Sequence, residues 1–358
     1  MVNGKYKNKF KFILILIITL EIILGFLLIH NLLPNLSLGI SGQLSKLNVI
    51  GIVPGDFPVE FIENSNNSIL YKELKSNFSQ KYNGVQEKLN TTTTIKINWD
   101  GFRDREFLIP KSNVTYRIII LGDSVAFGLG VEANETYSKI LENLLNSQRN
   151  GINYEVLNFG VPGYNTLQEV EMFKQKGLKY ELDLIIIGYH VNDFQDQYEH
   201  TKLLEEKRKE YNIVVDSLTK AQKIKLASDF ETYYLFNYLF SKPASELWER
   251  IAKPLSDLNE MTKASKTKVV ILTGTELLWD QQSLYLLNMS VTNFNSLTKE
   301  YNWQVFDMHH LLSHYSRNSL IVGKVDGHMN QLGHKIVGEK LYEFLLENNI
   351  TMTSNKFS

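Results

Sequence analysis

Two hydrophobic periods share the chain from residue 116 onward. Short unbroken apolar runs at 117–121, 154–158, 183–188 and 268–273, with a shorter one at 303–306, have the length of buried strands. Stretches whose apolar positions recur every three to four residues lie at 136–149, 166–179, 247–264, 284–300 and 331–347, and these predict helices. Strands alternating with helices predict an α/β fold, a three-layer α/β/α sandwich with a parallel central sheet. One insertion, about 195–246, interrupts the alternation. It opens on the charged run Glu205-Glu-Lys-Arg-Lys-Glu210, expected as a solvated helix face. It closes on aromatics from Phe230 to Phe240, expected to pack against the domain.

The N-terminus has a different pattern. Lys5, Lys7, Lys9 and Lys11 precede an almost unbroken apolar stretch from Phe12 to Leu33. That is close to the ~20 residues a helix needs to cross a bilayer. The positive-inside rule then predicts a cytoplasmic basic tail (1–11), a transmembrane anchor (12–33) and an extracytoplasmic remainder. Ser37-Leu38-Gly39 resembles a signal-peptidase site, but the apolar core exceeds the ~7–15 residues of a signal peptide, which favours an uncleaved signal-anchor. Glu21 stands in mid-helix, where a carboxylate costs on the order of 2–3 kcal/mol, so it is expected protonated or paired. Its functional reading is contact with another membrane protein or a second copy; its plain reading is a tolerated neutral acid. Residues 34–94 read as an extracytoplasmic stalk or lead-in, and 95–350 as the folded domain. Within 91–109 a strand-like composition is broken by Asn98-Trp-Asp-Gly-Phe-Arg-Asp104, whose Asp-Gly predicts a turn.

Composition narrows the chemistry. The 358 residues carry a formal net charge of -1, which gives no electrostatic case for nucleic acid. The chain has no cysteine, excluding disulfides, thiolate metal sites and a cysteine nucleophile.

Each predicted strand ends in a loop rich in polar residues and glycine. The first ends at Gly122-Asp123-Ser124 and the second at Asn158-Phe-Gly160-Val-Pro-Gly163. The third ends at Gly188-Tyr-His190-Val-Asn192-Asp193, and Asp326-Gly-His328-Met-Asn330 precedes the last helix. In a parallel sheet these loops open on one edge. Together they hold what acyl transfer needs: a serine hydroxyl, a histidine to take its proton, and an acid to orient the imidazole. Ser124, His328 and Asp326 are the candidates, and an oxyanion could meet the N–H groups of Ser124 and Gly160 and the Asn192 amide. Individually, Ser124 reads as a helix cap, Gly160 and Gly163 as turn formers, Asn192 as an Asx-turn and His328 as a surface histidine.

In combination these blocks resemble the SGNH hydrolases, also called GDSL esterases/lipases. Gly122-Asp123-Ser124, Gly160, Asn192 and the Asp326/His328 pair match four of the family's blocks over roughly residues 95–348. The upstream Asn98-Trp-Asp-Gly-Phe-Arg103 is similar to membrane-anchored members. The resemblance implies a flavodoxin-like α/β/α fold and a lipase-like esterase that needs no metal or organic cofactor. Two positions depart from the pattern. His190 stands where the family commonly has glycine two before the asparagine, and the last block reads Asp-x-His, where the family commonly has Asp-x-x-His. Two other motifs compete. Asp307-Met-His309 with His310 and His314 suggests a metal set but lacks the glutamate of a zinc protease motif, and Asp307 is expected to cap. Gly-Asp-Ser-Val-Ala126 resembles a nucleophile elbow, yet Ser124 follows the first strong strand, where that fold needs several before it.

The expectation is a membrane-anchored serine esterase acting outside the cytoplasm on acyl esters, with O-acetyl groups of envelope glycans as the substrate suggested by topology. An O-acetyltransferase using the same three residues is the nearest alternative, and a catalytically silent glycan-binding or scaffold protein is another. Hydrolysis should slow as His328 protonates, around pH ~6–7 for an unperturbed imidazole.

Overall fold

The computed structural model describes residues 60–82, 92–196, 199, 202–203, 206, 239–275, 281–323 and 327–351. Two short antiparallel pairs come first: β1 (Ile62–Asn64) with β2 (Lys72–Leu74), and β3 (Ser79–Tyr82) with β4 (Thr93–Lys96). The first three fall in the stretch read from sequence as a stalk or lead-in (34–94), and β4 begins there and runs into the stretch of strand-like composition at 91–109. The polar faces of β1–β3 give no periodic signal, whereas β4 alternates buried and exposed positions; buried Phe61, Leu70, Leu74, Ile95 and Ile97 fix these strands to the domain. The segment around Asn98–Asp104 packs on the main body, with Phe102 stacked on Phe159 at 3.5 Å between ring centroids.

The central sheet holds β5 (Thr115–Gly122), β6 (Asn153–Gly160), β7 (Leu184–Gly188), β8 (Lys268–Thr273) and β9 (Gln304–Asp307), all parallel, in the order β6-β5-β7-β8-β9. All five coincide with the apolar runs. β5 lies between two neighbours and is buried along its whole length, which is why its sequence shows no polar alternation. Side chains of Ile118, Ile120, Val156, Leu184, Ile186, Val270 and Leu272 form one face. They pack against α2 (Tyr137–Ser147) and α8 (Gln331–Glu347). Buried Ile119, Leu121, Leu157, Phe159, Ile185 and Ile187 point the other way. Between and beyond the strands lie α1 (Ser124–Phe127), α3 (Thr166–Met172), α4 (Ala244–Lys263), α5 (Gln281–Tyr301), α6 (His309–Leu312) and α7 (Arg317–Leu320).

The helix predicted over 166–179 is regular only to Met172. A wider turn follows at Phe173–Gly177, where the Phe173 ring lies on Gly177, and a tight turn at Leu178–Tyr180. Glu181, at φ 53, ends it. Apolar spacing does not register such changes in pitch.

Strand order reverses at β5: the chain runs from β5 to β6 on one side and then crosses from β6 to β7 on the other. Ligands in open parallel sheets bind in the crevice at such a switch point, beyond the carboxyl ends of the strands. Gly122, Gly160 and Gly188 stand in register there, one at the end of each of the three strands. Among the described residues no helix is long and apolar enough to cross a membrane. The predicted anchor at 12–33, with Glu21, lies outside them, as does most of the 195–246 insertion.

Candidate active site

Ser124 is the first residue of α1, directly after β5. The helix cap, one reading of Ser124 itself, is Asp123: its Oδ1 accepts the Val125 N–H at 2.8 Å. The Ser124 hydroxyl is thereby free of capping duty. α1 lasts only four residues and ends at Gly128, whose φ of 80 is left-handed.

So short a helix cannot satisfy its own last carbonyls. A buried arginine does so. Arg103 Nη1 donates to the carbonyls of Phe127 at 3.0 Å and Gly128 at 2.6 Å, and Nη2 donates to Val131 at 2.7 Å. The guanidinium also lies 4.9 Å from the centroid of the Phe127 ring. Burial lowers its pKa to about 10, with Glu132 and Glu135 opposing the shift, so it stays charged at neutral pH. Arg103 was legible only as part of a motif; its task of bracing the serine's helix was not.

Across the site, His328 Nε2 lies 2.8 Å from Ser124 Oγ, joining residues 204 apart in the chain. A short ladder holds this histidine. Val322 N–H donates to the His328 carbonyl at 2.9 Å, Asn330 N–H to Leu320 at 2.8 Å, and Ile321 bridges Met329. Asn330 then caps α8 through Leu332 and Gly333. Both Ser124 and His328 are half-buried. Asp326, the expected orienter, lies outside the described residues.

The two other loops also reach the serine's helix. Asn158 Nδ2 donates to the Ala126 carbonyl at 2.8 Å, and its Oδ1 accepts the Gly160 N–H at 2.9 Å. The N–H expected to face an oxyanion is thus held by a neighbouring amide oxygen. Gly160 is not a turn former; its φ is not left-handed, and its role is close approach to α1. Gly163, at φ 75, does form a turn. On the other side, Asn192 Nδ2 donates to Asp123 Oδ2 at 3.0 Å, and Asn192 Oδ1 lies 2.7 Å from His190 Nδ1. Asp193 accepts a hydrogen bond from Thr166 Oγ1 at 2.7 Å, tying this loop to the start of α3.

Two buried titratable groups adjoin the site and were not singled out in the sequence. Glu169 on α3 is fully buried with neither carboxyl oxygen hydrogen-bonded, and burial followed by the charge of Asp123 pushes its pKa up. His334 on α8 accepts the Tyr137 N–H at Nδ1, 3.3 Å away, and stacks on the Tyr137 ring. Burial, then the charges of Arg103 and His328, lower its pKa to about 3. A buried acid and a buried imidazole without sequence motifs give no signal except that they interrupt apolar helix faces.

The competing histidines are elsewhere. Asp307, expected to cap, stands one residue before the N-cap Met308 and its Oδ1 accepts the His309 N–H at 2.9 Å, while the His310 and His314 rings meet edge-on at 4.9 Å. Among the described residues no group of three or more metal-ligating side chains stands together.

A family model described as GDSL-like lipase/acylhydrolase matches residues 118–341. Among solved structures, the chain is similar to the psychrotrophic esterase EstA from Pseudoalteromonas sp., with 13% identity and a TM-score of 0.43, over 66% of this chain and 99% of that one. It is also similar to the acetyl xylan esterase AlAXEase, with 15% identity and a TM-score of 0.40, over 64% of this chain and 99% of that one. TesA matches at 12% identity and a TM-score of 0.44, over 66% and 99% of the two chains. No curated protein matches.

Proposed function

Because this chain belongs to the GDSL-like lipase/acylhydrolase family, we propose that it is a serine esterase in which Ser124 attacks an acyl carbonyl and His328 is its base. The observation that carries the reading is the 2.8 Å contact between Ser124 Oγ and His328 Nε2. A hydroxyl that donates to Nε2 requires a lone pair there, so the imidazole proton resides on Nδ1. Asp326, two residues before His328 in the sequence, is proposed to hold that Nδ1–H.

As Oγ bonds to the carbonyl carbon, its proton passes to Nε2, and the carbonyl oxygen gains the charge. The Ser124 N–H and the second N–H of Asn192 Nδ2 are proposed to receive it. The Gly160 N–H joins them as the oxyanion displaces Asn158 Oδ1. His328 then returns the proton to the departing alcohol oxygen, leaving an ester on Ser124. Water repeats the sequence and releases the acid. Removing one preorganised donor from such a site costs about 2.7–4 kcal/mol of transition-state stabilisation.

For substrate and location, we propose small acyl esters, with O-acetyl groups on envelope or exported glycans foremost, met outside the cytoplasm by a domain tethered through residues 12–33. The apolar stretch and the lysines before it support the location. The test is acetate release from O-acetylated glycan: the wild type releases it and Ser124→Ala does not. Activity confined to long-chain lipid esters contradicts the substrate class.

A further inference from the structure

We infer that His190 is a positioning residue: it fixes the Asn192 amide in the one orientation that presents an N–H to the oxyanion. The inference rests on the esterase reading above and assigns a role to a side chain that the family pattern leaves out, since glycine is common at this place. Its support is a chain of three hydrogen bonds. His190 Nδ1 and Asn192 Oδ1 are 2.7 Å apart, Asn192 Nδ2 and Asp123 Oδ2 are 3.0 Å apart, and Asp123 Oδ1 accepts the Val125 N–H at 2.8 Å.

The chemistry of the groups gives this chain a direction. The two ends of an amide are nearly identical in shape, so only its partners decide which way it points. Ionised aspartate is an acceptor alone, so Asn192 must turn its NH₂ toward Asp123. The amide oxygen then faces His190 and can only accept. The ring must therefore carry its proton on Nδ1, whether neutral or charged. Asp123 alone would leave the amide free to pivot about one N–H. The second bond, at the oxygen, removes that freedom and sets the direction of the remaining N–H. The same Asp123 caps α1, so the oxyanion donor and the nucleophile are referenced to one carboxylate.

The backbone supports the arrangement. His190 is extended, at φ -131 and ψ 153, and half-buried at the end of β7. The preceding Tyr189 is buried, with its hydroxyl 2.7 Å from Ser290 Oγ and its N–H donating to the Leu272 carbonyl at 2.9 Å. The imidazole thus leaves a well-anchored stretch, which a positioning group requires.

Steady-state hydrolysis of p-nitrophenyl acetate tests this in wild type, His190→Phe, His190→Gln, Asn192→Ala and the double variant His190→Phe/Asn192→Ala. Labelling of Ser124 by a fluorophosphonate runs alongside. Loss of a whole oxyanion donor lowers kcat by about 10²–10³-fold, so loss of its orienter is expected to lower kcat by ~10-fold. KM should stay within about twofold, because the oxyanion exists only in the transition state. His190→Gln, which retains an N–H donor, should recover most of the rate, and the double variant should be no slower than Asn192→Ala. If His190→Phe fails to fold, imidazole ¹⁵N shifts of the wild type decide, with a protonated Nδ1 expected and an Nε2–H neutral ring contradicting the account. Labelled Ser124 with an unchanged kcat in His190→Phe, or multiplicative losses in the double variant, overturns this inference alone. A folded wild type that neither labels nor hydrolyses overturns the esterase reading and this inference together.

Discussion

Gly160 passes beneath Phe127 so closely that a Cβ on the glycine would stand 2.1 Å from the Phe127 amide nitrogen and 2.7 Å from the Ala126 carbonyl carbon. No side chain fits there without moving α1, and α1 carries Ser124 on its first turn. Gly160→Ala is therefore expected to cost roughly 1–3 kcal/mol of stability, the usual range for overpacking. It should also lower ester hydrolysis by more than ~10-fold, since a displacement on the order of 1 Å can cost 10²-fold. Thermal melting and steady-state kinetics check both, and an alanine variant unchanged in each contradicts this packing.

Arg103 braces the far end of the same helix. Lysine keeps the charge but loses the fork that reaches four carbonyls at once, those of Phe127, Gly128, Val131 and Thr94. Arg103→Lys is expected to destabilise the fold by about 2–3 kcal/mol, in the range for hydrogen bonds to a charged group. Ser124 should label more slowly, because the turn after it loosens. Equal melting temperatures for the two proteins would show that the brace is dispensable.

The strands were legible because buried parallel strands have no solvent face, so Ile118–Leu121 and Leu184–Ile187 read as continuous apolar runs. β1–β3 were not, since three- and four-residue strands with exposed Glu63 or Ser79 carry no period, whereas β4 lies within the strand-like stretch 91–109. Ser124, Asn192 and His328 were singled out because their residue types and loop positions form a pattern. The contacts that hold them were hidden for a different reason. Arg103 with the Phe127 carbonyl, and Asn158 with that of Ala126, join a side chain to a backbone group, and any residue supplies a backbone carbonyl. His190 stood out as a departure, but only the fold brings its ring to Asn192.

His334 makes stability depend on acid. Its folded pKa of about 3 lies below the ~6.5 of an exposed histidine, so below pH ~6.5 the unfolded chain binds a proton that the folded chain refuses. Its contribution is fully present above that pH and falls by up to ~1.4 kcal/mol per unit as pH drops toward 3. His334→Gln, which can still accept the Tyr137 N–H, should flatten the decline measured by denaturant unfolding between pH 6.5 and 4. An unaltered slope contradicts a buried neutral imidazole.

Glu169 acts in the opposite sense. Its pKa is raised in the fold, so the folded chain retains a proton that the unfolded chain releases above the ordinary carboxylate range. Stability is greatest below that range and is lost as pH climbs through it toward the raised value. Glu169→Gln removes the dependence, so its melting temperature should gain on the wild type as pH rises above the ordinary carboxylate range. A difference that does not change as pH rises above that range would show an ionised Glu169 in the fold.

The central claim is that Ser124 is a nucleophile activated by His328. Reaction with a fluorophosphonate, read by mass spectrometry of the digested protein, tests it most directly. The account predicts one adduct, on the peptide holding Ser124, absent in Ser124→Ala and slowed by at least ~10³-fold in His328→Ala. A folded protein that leaves Ser124 unmodified, or one that labels as fast without His328, contradicts it.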